Sequence, residues 1–334
     1  MEYRDDAVFW EAYRRYLEPV ARRVAETIMP LIGGAGGKID TATTQSGDIL
    51  TVADDRASAA VRYELKNSPV PVALLDEKEG VLKPLGDREP RIGLIVDELD
   101  GTRPFRMGMT TCCVSMAAYP LGEEPLMKNV RLGIIIRLDT GAIYSVVRHP
   151  ESGYSRVYRN GVQLVSPPDA TPFNQACVYL DDAMTDFGLH GLCVRPFSPH
   201  VRHGLVRVGS ICYGATLMVD RGTQIVLHLG PREYQQWPEV RSYVESIWGN
   251  FVTMQSYDIA AFVPLLWECG FTVTNAFGKP LDDVVLDRCV PDGGTIGIVA
   301  AANPDLHRFV LREIDRRELF LRDRMDAVSE ALDW

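Results

Sequence analysis

The stretch best equipped for chemistry is Val96-Asp97-Glu98-Leu99-Asp100-Gly101-Thr102-Arg103-Pro104-Phe105. Asp97 and Asp100 stand directly behind the apolar run Ile92–Val96, which reads as a buried strand, and Gly101-Thr102 follows at once. A strand that ends this way delivers hard oxygen donors to one point at the edge of a sheet. That suits Mg²⁺, which takes carboxylate, carbonyl and water oxygens and is commonly shared with a substrate phosphate. The same residues also read as a strand running into an acidic turn, since Asp and Gly are ordinary turn residues.

Three further segments place acids comparably. Pro69–Leu75 is an apolar run that ends in Asp76-Glu77-Lys78-Glu79-Gly80; Asp48–Asp55 opens a helical pattern; Tyr257-Asp258-Ile259-Ala260-Ala261 starts an apolar helix. Taken alone, Asp54 and Asp258 are as well suited to capping a helix N-terminus as to catalysis.

In this order, the four segments resemble the inositol monophosphatase family of metal-dependent phosphatases, within the fructose-1,6-bisphosphatase-like superfamily, over roughly residues 10–310. The resemblance implies a layered α/β/α/β/α sandwich of α+β or α/β class. It implies two or three Mg²⁺ ions per site, with Glu77, Asp97 and the Leu99 carbonyl at the first, and Asp97, Asp100 and Asp258 at the second. A third, weaker ion would bind near Glu77. Asp54 and Thr102 would orient and deprotonate the attacking water, and the Gly101 and Thr102 N–H groups would hold a phosphate oxygen. Arg207–Ala215 resembles the family's pocket-lining Gly-Ser-Ala-Ala segment through Gly209 and Ser210. The family's usual Pro is here Glu98, which either adds charge near the metals or points to solvent. Arg103 could contact phosphate, pair with Glu98 or stand in water. An extra piece at 230–252 carries Arg232, Tyr234, Trp237, Arg241 and Trp248, suited to a rim over a polar ligand or to a subunit contact.

The implied activity is hydrolysis of a small phosphorylated metabolite, a sugar or cyclitol monophosphate, by metal-activated water. Fructose 1,6-bisphosphate and 3′-phosphoadenosine 5′-phosphate are the enzymatic alternatives. A regulatory protein that binds metal or phosphate without turnover is the alternative of another class. Relatives of this kind are usually homodimers.

Composition is compatible. Lys+Arg 35 against Asp+Glu 45 gives a net charge of −10 with 46% hydrophobic residues. That balance excludes a general nucleic-acid footprint and would repel an anionic substrate unless cations reverse the sign locally. No apolar run reaches membrane-spanning length. The acidic N-terminus does not read as a secretion signal, and seven cysteines without framework spacing suggest reduced thiols; the expectation is a cytoplasmic enzyme. Gly33–Lys38 fails as a phosphate loop, because Ile39 stands where Ser or Thr should follow the Lys.

The length of 334 residues exceeds one compact core. We expect an N-terminal domain over 1–168, with a helix pair and antiparallel strands carrying most ligands, and a C-terminal α/β domain over 169–334. Periodicity predicts helices over 7–29, 54–66, 212–220, 258–269 and 304–331, and near 184–189. It predicts strands near 70–76, 91–97, 111–119, 131–137, 142–148, 176–181, 192–196, 223–229, 271–275 and 295–300.

Overall fold

A computed structural model describes residues 1–34, 39–43, 49–165, 171–181, 204–236, 238, 242, 254–289 and 296–332. The expected elements at 184–189 and 192–196, and the boundary at 168, lie outside them.

Helix α1 (Ala7–Ile28) is capped by Asp6, whose carboxylate accepts from the Phe9 N–H at 2.7 Å. Trp10, Tyr13, Leu17, Val20, Val24 and Ile28 recur at helical spacing and are fully buried. Strands β1 (Asp40–Thr43) and β2 (Ile49–Thr51) pair antiparallel and lead into α2 (Val52–Leu65). Eight strands then build one sheet: β3 (Val72–Asp76), β4 (Lys83–Pro84), β5 (Ile92–Asp100), β6 (Cys113–Pro120), β7 (Leu132–Arg137), β8 (Ile143–His149), β9 (Tyr154–Arg159) and β10 (Val162–Leu164), in the order β10-β9-β8-β7-β6-β5-β3-β4. Only the β3–β5 pair is parallel. The sequence reading missed β9 and β10, although Asn160-Gly161, both at positive φ, is the two-residue hairpin signal between them.

The second half forms a five-stranded mixed sheet, β12-β11-β13-β15-β14, from β11 (Val178–Leu180), β12 (Leu205–Val206), β13 (Ile225–His228), β14 (Thr272–Asn275) and β15 (Ile298–Ala301). Its helices include α4 (Ile211–Val219), α5 (Gly230–Gln236), α6 (Ser256–Ile259), α7 (Phe262–Glu268) and the long α8 (Pro304–Leu332); the short α3 (Thr102–Arg106) belongs to the first half.

Alternation along the strands sorts side chains onto two faces. Leu94, Val96, Val114 and Met116 join the core under α1 and α2; Ile95, Cys113 and Ala117 join a second core containing α4, α6, α7 and the five-stranded sheet. Helix α8 covers that sheet's far side through Leu306, Val310 and Ile314. The layers therefore run helix pair, sheet, helices, sheet, helix, the α/β/α/β/α sandwich the resemblance implies. Gly133 lets the α6–α7 turn touch β7: a Cβ there would sit 2.5 Å from the Ala261 carbonyl oxygen.

The single helix expected over 258–269 is two. Pro264 offers no N–H to the Ala260 carbonyl and its ring would crowd it, so the chain breaks at Ala260–Ala261. Cys112, Cys113, Cys177, Cys212, Cys269 and Cys289 are free thiols. No described helix is long and apolar enough to cross a membrane.

Candidate active site

Residues at i and i+3 of a regular strand face opposite ways. Asp97 and Asp100 escape this because β5 slips register between them: Asp97 pairs with Ser115, yet Asp100 pairs with Cys113. The extra residue is a bulge, and it turns both carboxylates to the face carrying α4 and α6. Asp258 approaches from α6. Carboxylate oxygens of Asp97, Asp100 and Asp258 all lie within 4.8 Å of one another.

Each carboxylate is tethered. Asp97 Oδ1 accepts from the Leu99 N–H at 3.1 Å. Asp100 Oδ2 accepts from the Ser210 hydroxyl at 2.5 Å and the Cys212 N–H at 2.9 Å, at the start of α4, where Ser210 is also the N-cap. Asp258 is the third residue of its helix and accepts from the Gln255 N–H at 2.5 Å in a capping box. Gly101 sits at φ +97°, and a Cβ there would meet Ser210 Cβ at 2.9 Å, so the turn that joins Asp100 to α3 has room only for glycine.

Asp54 occupies the matching third position of α2. The N-cap itself is Thr51, and Asp54 takes part in the cap as the acid of a capping box: its Oδ2 accepts from the Thr51 N–H at 2.5 Å and from the Thr51 hydroxyl at 2.6 Å. Its other oxygen accepts from the Thr102 hydroxyl at 3.3 Å, while the Leu99 carbonyl lies equally close to that hydroxyl. The expected Asp54–Thr102 contact is therefore present.

Glu77 is not within the three-carboxylate group. It lines an adjoining small crevice with Leu50, Asp54, Asp55, Ser58, Lys78 and Glu98. Glu98 does not point to solvent: it is 3% exposed, and its Oε1 has no hydrogen-bond partner. Asp76, fully buried, is turned away to Ser58 and Arg62.

The other expected positions divide. Gly209 (φ +86°) and Ser210 lie beside the acids, but the Ser210 hydroxyl is committed to Asp100. Arg103 is exposed on α3. Arg232 is not a rim cation. It is 5% exposed; its guanidinium grips Glu318 at 2.7 and 2.5 Å, Asp315 at 2.5 Å and the Ala276 carbonyl at 2.8 Å. Sequence proximity to Asp258 suggested the rim; the ion pair with α8 fixes Arg232 elsewhere. Arg241, Trp237 and Trp248 lie outside the described residues. Sequence reasoning passed over Asp181 and His228, buried at the ends of β11 and β13 and 3.4 Å apart. Two apolar strands that end in polar residues were the available signal.

Burial, reinforced by Asp100, Asp258 and Glu98, drives the Asp97 carboxyl well above the usual range. Burial also pushes Asp100 up to about 7, with Asp181 adding to it and the Ser210 hydroxyl opposing. Burial, then Asp76, pushes Glu98 up to about 8, against N–H groups of Glu98 and Glu77. Asp54 is raised by burial, against its Thr51 and Thr102 hydrogen bonds. Burial and mutual repulsion thus raise these carboxyls, and a cation placed among them would favour their charged forms.

No protein-family model and no curated protein sequence matches the chain. Solved structures do. An inositol monophosphatase of Thermotoga maritima aligns over 91% of this chain and 96% of its own, with a TM-score of 0.63 and 16% identity. The extragenic suppressor protein SuhB of Bartonella henselae aligns over 91% and 98%, with a TM-score of 0.65 and 16% identity. An inositol monophosphatase of Anabaena aligns over 92% and 96%, with a TM-score of 0.60 and 14% identity. With its layers, sheet orders and near-complete coverage of these chains, this protein has the inositol monophosphatase fold.

Proposed function

We propose that the protein is a Mg²⁺-dependent phosphatase of the inositol monophosphatase family, acting on a small phosphorylated metabolite of the sugar or cyclitol monophosphate class. The observation that carries this is the convergence of Asp97, Asp100 and Asp258, from a strand bulge and a separate helix, beside the Thr102–Asp54 pair. The donor set fits the ion: three carboxylates converge, and burial penalises the charge of Asp97 and Asp100. Asp97, Asp100 and Asp258 would hold it, with Glu77 and the Leu99 carbonyl at its edge. Most ligands come from residues 1–168 and the last from 169–334. When bound, Mg²⁺ neutralises phosphate charge and acidifies coordinated water.

The chain's own residues do the rest. Thr102, donating its hydroxyl proton to Asp54, keeps its oxygen lone pairs to accept from a water and so aims that water at phosphorus. Asp54, its carboxyl pushed up by burial, is the better base for the released proton. The Gly101–Thr102 turn at the start of α3 presents backbone N–H groups suited to a phosphate oxygen. Ser210 and the Cys212 N–H hold Asp100 in place.

Phosphate release from a panel of inositol phosphates, sugar monophosphates, fructose 1,6-bisphosphate and 3′-phosphoadenosine 5′-phosphate, with and without Mg²⁺, tests this. One neighbouring structure is described as an inositol monophosphatase–fructose 1,6-bisphosphatase, which is why the bisphosphate belongs in the panel. Mg²⁺-dependent release from one class is expected; no release from any member would overturn the reading.

A further inference from the structure

We infer that Tyr179 is a positioning residue for the three-carboxylate group: its hydroxyl holds the backbone of Ser210, and through Ser210 it fixes the carboxylate of Asp100. This rests on the metal-dependent reading above and extends it to a residue of β11, a strand that contributes none of the three acids.

The chain reaches α4 by a path with few restraints of its own. Strand β12 is two residues long at the edge of its sheet, and Gly209 takes φ +86° just before the cap. Ser210 nevertheless has a demanding position. Its hydroxyl carries one proton, which goes to Asp100 Oδ2 at 2.5 Å, while the same oxygen accepts from the Tyr213 N–H at 3.2 Å. The Cys212 N–H reaches that Asp100 oxygen too, at 2.9 Å. A small displacement of Ser210 therefore moves or releases the Asp100 carboxylate.

Tyr179 supplies the restraint. It is fully buried at the middle of β11, between β12 and β13. Its hydroxyl donates to the Ser210 carbonyl at 2.5 Å and accepts from the Ser210 N–H at 3.2 Å, so one phenol engages both backbone polar groups of the capping residue. That carbonyl also accepts the Gly214 N–H at 3.2 Å, the first bond of α4. The ring reaches this far because residue 214 is glycine: a Cβ there would lie 2.5 Å from the ring. Glycine inside a helix is otherwise unfavourable. On its other side Ser210 abuts the turn after Asp100, where a Cβ on Gly101 would come within 2.9 Å of Ser210 Cβ. Ser210 is thus clamped between Tyr179 and the acid it orients. A buried tyrosine needs a hydroxyl partner in any case, but that role alone stabilises the fold without bearing on metal affinity, and the two roles separate by experiment.

Mn²⁺ is the probe, titrated into the metal-stripped full chain with free Mn²⁺ read by electron paramagnetic resonance. Asp258→Asn identifies the class of site held by the three acids. Tyr179→Phe keeps the ring against Gly214 and removes only the hydroxyl; it should weaken that class about 10-fold. Ser210→Ala should weaken it at least as much. Tyr179→Phe in the Ser210→Ala background should cost nothing further, because the phenol acts through the serine hydroxyl. Val310→Ala, a buried truncation on α8 across the five-stranded sheet, should lower the unfolding midpoint of the metal-free protein and leave Mn²⁺ affinity unchanged. Wild-type affinity in Tyr179→Phe, or losses that add in the double variant, overturns the inference while leaving the metal-dependent reading intact. An equal loss of affinity in Val310→Ala overturns it as well, by making affinity a matter of stability alone. No Mn²⁺ binding by the wild type overturns both.

Discussion

Arg232 separates two accounts of the 230–252 segment, and its removal has a size that can be worked out. Replacing it by Met keeps most of the buried volume and deletes the guanidinium. Glu318, 7% exposed, then keeps its charge without a partner, and the Ala276 carbonyl loses its donor. Breaking a buried pair from one side costs about 3–5 kcal/mol. Asp315 adds little, since its side chain is 60% exposed. An unfolding entropy of about 2.1 cal/mol/K per residue gives roughly 0.7 kcal/mol/K for 334 residues. The midpoint should therefore fall by about 4–7 °C in calorimetry, if unfolding is close to two-state. Replacing both partners, Arg232→Met with Glu318→Leu, should recover most of the loss because no charge is left stranded. The KM for the best substrate should not change. An unshifted midpoint together with a raised KM would refute the ion-pair account and restore Arg232 to the substrate.

The remaining expectations concern the site and the pH response. Asp97→Asn should abolish most Mg²⁺-dependent turnover while raising the unfolding midpoint of the metal-free protein, because burial and three neighbouring acids all oppose the Asp97 charge; a lower midpoint would contradict that. Thr102→Val should lower kcat by a factor of about 10²–10⁴ with Mn²⁺ affinity little changed, and a collapse of metal affinity at normal kcat would reassign Thr102. His307, 2.9 Å from the Thr274 hydroxyl, has its pKa depressed by burial below the ordinary histidine value of about 6.5. Its stabilising contribution is complete above that value and is lost as pH falls below it, since the unfolded chain then takes the proton more readily. The gap in midpoint between wild type and His307→Gln should narrow from pH 8 to pH 5.5; a constant gap would show that His307 does not titrate differently in the two states.

The buried acids titrate with the opposite sign, and that contrast marks how far the sequence could be read. Asp97, Glu98 and Asp100 all gain stability on protonation, the reverse of an ordinary surface carboxylate, because a function that needs clustered charge opposes the fold that clusters it. Their residue types and order were visible in the chain, as were nearly all helices and central strands, whose apolar periods are strong. Their geometry was not. A period of two puts Asp97 and Asp100 on opposite faces, and only a register slip against Ser115 and Cys113, set by a partner strand, reunites them. Glu98 could be read either as added charge near the metals or as a solvent-facing turn residue for the same reason: its surroundings come from α2 and the segment after β3, distant in sequence. Arg232 failed similarly, its carboxylate partners lying on α8, 83 and 86 residues away. Local pattern specifies which residue can do chemistry, whereas a bulge or a long-range ion pair decides which face it does it from. Deleting Glu98 would leave Asp97 and Asp100 two positions apart, which a regular strand keeps on one face with no bulge. Inserting one residue between Val114 and Ser115 would instead make the ladder regular at the present spacing and throw the two acids onto opposite faces. The insertion should therefore abolish Mg²⁺-dependent phosphate release, and release retained by a folded insertion variant would refute the argument.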